Sequence, residues 1–216
     1  SAPGASGSLG NNKTFKSLFR GSLAGASVDN EAFGSVLASG DLNGDGKPDL
    51  AVGFPNYNGG DGRVIVYDGT DLTTSLLTIT GSSGENLGAA LAFADVDNDT
   101  KYDLIVGSPL SDGAGTDRGK VEVYSGDTGL LLYSILGSAD GDKLGSSVSR
   151  VGNIDGSSGE EFIVGIPFAD VSAKTDAGMA KVYKGADGSP FTSISGNEAN
   201  ARLGSNVSGV GDVDND

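Results

Sequence analysis

The 216-residue chain reads as an all-β array of propeller blades, and two observations predict this. The first is an internal repeat. A large apolar residue followed by Gly recurs at Phe33-Gly34, Leu87-Gly88, Leu144-Gly145 and Leu203-Gly204, at steps of 54, 57 and 59 residues, and a fixed period of that size marks a repeat architecture. The second is the content of each unit: short runs rich in Val, Ile, Leu and Tyr, bounded by Gly, Asp, Asn and Pro, which is how strands joined by turns are written. No window sustains a helical period with caps at both ends. Four short strands per unit is the arithmetic of a propeller blade, although solenoids have comparable periods. A sandwich has no reason to repeat.

The elements follow in order within each unit. About ten residues after the apolar-Gly opening comes an Asp/Asn-rich segment, then an apolar run ending in Pro at 50–55, 104–109 and 162–167. Leu104-Ile105-Val106 is apolar without alternation, as expected of a strand covered on both faces by neighbouring blades. An alternating segment ending in Tyr follows at 63–67, 120–124 and 180–183, and then a Gly/Asp turn and a last strand such as 76–80 or 130–135. Tyr67, Tyr124 and Tyr183 share one repeat position, which predicts packing between blades. Residues 15–19 precede Phe33-Gly34 as 76–80 precede Leu87-Gly88, and so read as the last strand of a preceding unit. The expectation is a flexible Gly/Ser/Ala-rich leader at 1–14 and a repeat region at 15–216. That region would hold about three complete four-stranded blades (33–86, 87–143 and 144–202), a partial blade at 203–216, and a partial blade at the start. Such an array is either part of a longer protein or is completed by blades from another chain; open edges favour partner addition or self-assembly.

Composition narrows the chemistry. There is no His and no Cys, which excludes a Ser-His-Asp triad, a Cys nucleophile, a Cys/His zinc site and any disulfide. A formal charge of −15, from 29 acidic and 14 basic residues, argues against nucleic acid or an anionic membrane as partner. No apolar run approaches the roughly 18 residues of a membrane span. The 37 glycines mark turns and junctions rather than disorder.

The acidic segments carry the chemistry. The first reads Asp41-Leu42-Asn43-Gly44-Asp45-Gly46-Lys47-Pro48-Asp49. Oxygen side chains fall at positions one, three, five and nine, and Lys47 at position seven would offer its backbone carbonyl with its side chain outward. Ca²⁺ takes about six to eight oxygens at roughly 2.3–2.6 Å, which alternate residues of a tight loop supply; Mg²⁺ rarely occupies such a cage. The start matches the calcium loop of an EF-hand, but position 12 is Val52 rather than a bidentate Glu, so Asp49 must close the site. The second loop places carboxylates at Asp95, Asp97, Asp99 and Asp103 with Lys101 at position seven, and four acids so close repel one another without a cation. Thr100 stands where the first loop has Gly46, which predicts a strained turn. The third, with Asn153, Asp155, Ser157, Gly159 and Glu161 at the ligand positions, keeps two carboxylates and is expected to bind weakly or not at all. A fourth begins with Asp212, Asp214 and Asp216, where the sequence ends. Isolated Asp/Asn/Gly segments are ordinary turns; recurrence at equivalent repeat positions is what points to metal.

On these residues the chain resembles the FG-GAP repeat family, the repeat of the integrin α-subunit propeller. Phe33-Gly34 fits the first half of the name, and Gly53-Phe54-Pro55, Gly107-Ser108-Pro109 and Gly165-Ile166-Pro167 fit the second. The resemblance covers about residues 30–216 and implies four-stranded blades with calcium in the hairpin between the first two strands, at 41–49 and 95–103. Leu in place of Phe in three openings preserves apolar packing. The expected function is an extracellular, calcium-stabilised adhesion or recognition module meeting a protein or glycan ligand at the cell surface or matrix, without enzymatic activity. Calcium-loaded loops of this acidity suit millimolar extracellular calcium. A filament or surface-layer subunit is the alternative. A glycosidase using a carboxylate pair among Asp68, Asp71, Asp112, Asp117 and Asp127 is the third reading, against which those residues all sit in turns.

Overall fold

The computed structural model describes residues 34–210. The leader at 1–14, the strand expected at 15–19, Phe33 of the first opening, and Asp212, Asp214 and Asp216 of the fourth loop lie outside the described residues. Among the described residues twelve strands form three four-stranded antiparallel sheets, each in simple sequence order. The first sheet holds β1 (Val36–Gly40), β2 (Asp49–Phe54), β3 (Arg63–Tyr67) and β4 (Ser75–Thr80). The second holds β5 (Ala90–Ala94), β6 (Asp103–Ser108), β7 (Lys120–Tyr124) and β8 (Leu131–Leu136), and the third β9 (Ser147–Gly152), β10 (Glu161–Ile166), β11 (Met179–Tyr183) and β12 (Pro190–Ser195). Among the described residues the helical content is one 3-10 turn at Tyr57–Gly59, and no helix is long and apolar enough to cross a membrane.

The sheets lie side by side with β1, β5 and β9 adjacent, and among the described residues they do not close into a ring. The core lies between blades. One cluster joins Val64 and Val66 of the first sheet to Leu91, Leu104 and Val106 of the second. A second joins Ala92, Ile105 and Val123 to Phe162 and Val164 of the third, and a smaller one holds Val52, Phe54, Ile65 and Tyr67 of the first sheet. The second strand of each blade therefore needs two apolar faces: β6 is buried throughout, whereas the outermost β12 is exposed throughout. Each fully buried aliphatic side chain contributes about 1.5–3 kcal/mol. Tyr67 and Tyr183 are buried, and the Tyr183 ring stacks on Phe162 at 5.9 Å.

The two glycine motifs meet at the blade junctions. A Cβ on Gly107 would overlap the carbonyl oxygen of Gly145, and one on Gly53 that of Gly88. The Gly of one blade's Gly-X-Pro run thus faces the opening Gly of the next, where only backbone fits. The opening Leu87 and Leu144 are 2% and 3% exposed and bridge in parallel to Gly62 and Gly119 of the preceding blade.

Candidate metal centre

The three acidic loops are the turns of the β1–β2, β5–β6 and β9–β10 hairpins, so neighbouring inner strands bring them together on one rim. In loop one the side chains fold the turn. Asp41 Oδ1 accepts from the Gly44 and Asp45 N–H groups at 2.8 and 3.0 Å, and its Oδ2 from Gly46 N–H at 2.8 Å. Asn43 Oδ1 accepts from Asp45 N–H and Asp45 Oδ1 from Lys47 N–H. Short acidic and amide side chains favour such turns because they reach backbone donors two to five residues ahead.

Loop two repeats the pattern with more charge. Asp95 accepts from the Asp99 and Thr100 N–H groups, both at 3.1 Å. Asp97 accepts from Asp99 N–H, and Asp99 from Lys101 N–H. Asp95, Asp97 and Asp99 each present a carboxylate oxygen within 4.8 Å of the others. Burial, and then the neighbouring Asp99 and Asp95 charges, push the Asp97 carboxyl up. Thr100 adopts φ +78°, as Gly46 adopts +85°, so a β-branched residue stands in the left-handed region, where strain is expected. Crowded hard-oxygen donors with uncompensated charge suit a divalent cation of the calcium type. Loops one and three present no comparable group of three acids among the described residues.

Position nine reaches further than the turn. Asp49, Asp103 and Glu161 are each 0% exposed. Asp49 Oδ2 accepts from the Leu42 and Asn43 N–H groups at 2.9 and 3.3 Å, while its Oδ1 accepts from Gly69 N–H at 2.9 Å. Asp103 does the same with Val96 and Gly126 at 2.8 and 3.0 Å. Burial pushes Asp103 up to about 6, with backbone hydrogen bonds lowering it and the Asp97 and Asp99 charges raising it. In both blades this acid ties the first hairpin to the turn that follows the Tyr. Gly69, Gly126 and Gly185 occupy that turn because a Cβ there would overlap a carbonyl of the first hairpin. Sequence reading missed this role, although Tyr67-Asp68-Gly69, Tyr124-Ser125-Gly126 and Tyr183-Lys184-Gly185 share a visible Tyr-X-Gly pattern.

The lysine side chains at position seven reach to the turn after the Tyr. Lys47 Nζ donates to Thr70 Oγ1 at 3.4 Å, and Lys101 pairs with Asp127. Loop three is built differently. Asn153 Oδ1 accepts from Gly156 N–H and its Nδ2 donates to the Ser157 carbonyl. Asp155 accepts from Ser157 N–H at 2.7 Å and pairs with Lys184 at 2.9 Å. Hydrogen bonds from Ser157, followed by Lys184, hold the Asp155 carboxyl down at about 2. Glu161 Oε2 accepts from the Ile154 and Asp155 N–H groups, while Oε1 is buried without a hydrogen-bond partner.

The loops are also joined to one another. Tyr102 N–H donates to the Asp41 carbonyl at 3.1 Å, and Glu160 N–H to the Asp95 carbonyl at 2.8 Å. The first residue of each of these loops is therefore bonded to the eighth of the next, and the rim is continuous across the three blades.

Residues 33–67 and 87–124 match the family model described as FG-GAP repeat. These two segments carry FG-GAP repeats. Its relatives include phosphatidylinositol-glycan-specific phospholipase D of Rattus norvegicus, 44% identical over 43% of this chain and 12% of that protein. Integrin alpha-8 of Mus musculus is 28% identical over 76% of this chain and 16% of its own length. Integrin alpha-5 of Xenopus laevis is 29% identical over 81% and 17%. The chain thus spans less than a fifth of each of these relatives. Among solved structures, rhamnogalacturonan lyase YesW aligns with a TM-score of 0.50 at 18% identity, over 76% of this chain and 35% of that one, a likeness of fold alone. The FG-GAP match covers the first three strands of each of the first two sheets and both of the better-formed acidic loops.

Proposed function

We propose that these FG-GAP blades form part of an extracellular recognition or adhesion module in which calcium is structural. The observation that carries the reading is the convergence of Asp95, Asp97 and Asp99 in a loop bonded to both neighbouring loops. Asp95, Asp97, Asp99 and the Lys101 carbonyl, with Asp103 behind them, would hold the ion in loop two. Asp41, Asn43, Asp45, the Lys47 carbonyl and Asp49 would hold it in loop one. Bound calcium would neutralise charge and cross-link oxygens within each turn. The chain's own contribution is to pre-shape the turns through the backbone bonds that Asp41, Asp95, Asp49 and Asp103 accept.

We assign recognition to the opposite ends of the strands. At the Ile166 end of β10, far along the strand from Glu161, a cleft of about 530 Å³ opens between blades two and three. Leu136, Asp142, Phe168, Asp170, Met179 and Lys181 line it. Such a mixed apolar and charged concavity suits a protein loop or a glycan. The turn carboxylates that an enzymatic reading would need have structural partners. Asp71 accepts from the Thr73 and Thr74 N–H groups, Asp112 from Asp117 N–H, Asp68 from Thr70 N–H, and Asp127 and Asp117 pair with Lys101 and Lys143. This supports a non-enzymatic module. Self-assembly is favoured by exposed apolar residues on the outer strands, with Leu136 at 60% and Ile194 at 63%; a calcium-independent monomer in sedimentation would count against it.

The test is thermal unfolding with excess calcium and with chelator. The proposed role predicts a fall in Tm of at least about 5 °C on chelation, restored by calcium, because losing even ~2 kcal/mol moves the Tm of a domain this size by several degrees. An unchanged Tm would overturn it.

A further inference from the structure

The third blade departs from the other two at several positions that act on a single point. We propose that the Lys184 ammonium is its resident cation, tethered by the chain, so that this blade's rim is held without a divalent ion.

The cross-turn pair is reversed in polarity. In blades one and two a lysine on the acidic loop, Lys47 or Lys101, reaches outward to an acceptor on the turn after the Tyr, Thr70 or Asp127. In blade three the acidic loop has Gly159 at that position, pressed against the Val96 carbonyl where no side chain fits. The lysine comes instead from the turn. Lys184 follows Tyr183 as Asp68 follows Tyr67 and Ser125 follows Tyr124, and its Nζ meets Asp155 Oδ2 at 2.9 Å. Asp155 is position three, a ligand position in the other loops, and its side chain is 6% exposed.

Three further residues fit an ammonium and disfavour a divalent ion. Asn153 puts an amide where loops one and two have Asp41 and Asp95, and its Nδ2 donates within the loop to the Ser157 carbonyl. Ser157 replaces the acid at position five. Phe191 lies under the ammonium at 5.6 Å. By register with Tyr183, Tyr67 and Tyr124, it stands where the other blades place Leu76 and Leu132. A ring face there holds a cation in place. The charge of Glu161, whose Oε1 is buried without a hydrogen-bond partner, also acts on Lys184. Charge assistance strengthens this bond, although solvent screens its Lys184 end, which is 39% exposed, and a divalent ion entering the loop would face the ammonium directly.

Hydrogen exchange at 153–161 tests this, with and without calcium, for the wild type, Lys184→Met, Lys184→Asp and Lys184→Arg. The proposal predicts equal protection of 153–161 in wild type under both conditions. In chelator, Lys184→Met should exchange roughly 10- to 100-fold faster there, as expected for loss of a charge-assisted bond, while Lys184→Arg stays protected. Lys184→Asp, the residue of the first blade, should lose protection in chelator as Lys184→Met does. Exchange in β5 reports whether a variant has kept its fold. Calcium-induced protection of 153–161 in wild type overturns the proposal, as does a Lys184→Met variant that exchanges as wild type; the first of these decides even if Lys184→Met fails to fold. The contrast rests on the calcium reading of loops one and two. If 41–49 and 95–103 fail to respond to calcium while Lys184→Met loosens 153–161 in chelator, that reading fails and the Lys184 assignment stands.

Discussion

Replacing Asp49 with Ala separates two roles that one side chain can fill. As a cation ligand alone, Asp49 would matter only with calcium present. As a strut it matters in chelator too, because its 0% exposed carboxylate accepts from Leu42, Asn43 and Gly69 N–H groups at 2.9, 3.3 and 2.9 Å. Ala provides no acceptor for these donors. Each buried donor left unpaired costs about 1–3 kcal/mol. Counting Leu42 and Gly69 as full losses and Asn43, at 3.3 Å, as a weak one gives about 2–6 kcal/mol. Asp45→Ala is the control: the residue is exposed, and its bonds to Lys47 N–H and Thr70 Oγ1 are surface contacts worth less than about 1 kcal/mol. Urea unfolding in chelator measures both, with an unchanged m-value as the sign that only stability moved. An Asp49→Ala midpoint equal to that of Asp45→Ala would refute the strut.

Two more outcomes are expected. In chelator, stability should rise as pH falls from 7 toward 5. Burial holds Asp103 near 6 and raises Asp97 and Asp142, so the folded chain takes up protons that the unfolded chain does not yet hold. Below about pH 4 the slope should reverse, as Asp71 and Asp155, held near 2, protonate more readily in the unfolded chain; a flat urea-midpoint profile from pH 7 to 5 would contradict this. Thr100→Gly should stabilise loop two by about 0.5–1 kcal/mol, since relief of about 1–2 kcal/mol at φ +78° exceeds the entropy cost of Gly. Equal or lower urea stability would show that Thr100 is unstrained.

The repeat made much of this legible. Leu104-Ile105-Val106 announced a doubly covered strand and β6 is buried throughout. The alternating segments ending in Tyr lie where β3, β7 and β11 run. Thr100 signalled its positive φ because its counterpart in loop one is Gly46. What stayed hidden depends on contacts between separate hairpins. Nothing local in Asp49 reveals that its second oxygen holds Gly69, twenty residues on. Asp155 and Lys184 likewise meet between two separate turns of one sheet, a pairing that no local reading of loop three reveals. The bonds from Tyr102 to Asp41 and from Glu160 to Asp95 were equally out of reach, because they arise from how blades approach one another.

The calcium reading is tested most directly by calorimetric titration of calcium into the chelator-stripped chain, beside a variant carrying Asp97→Asn and Asp99→Asn. Removing two of the three converging charges of loop two should leave the variant one calcium site short of the wild type, with the remaining uptake intact. A wild-type chain that takes up no calcium at millimolar concentration, or a variant that binds as much as the wild type, would contradict it.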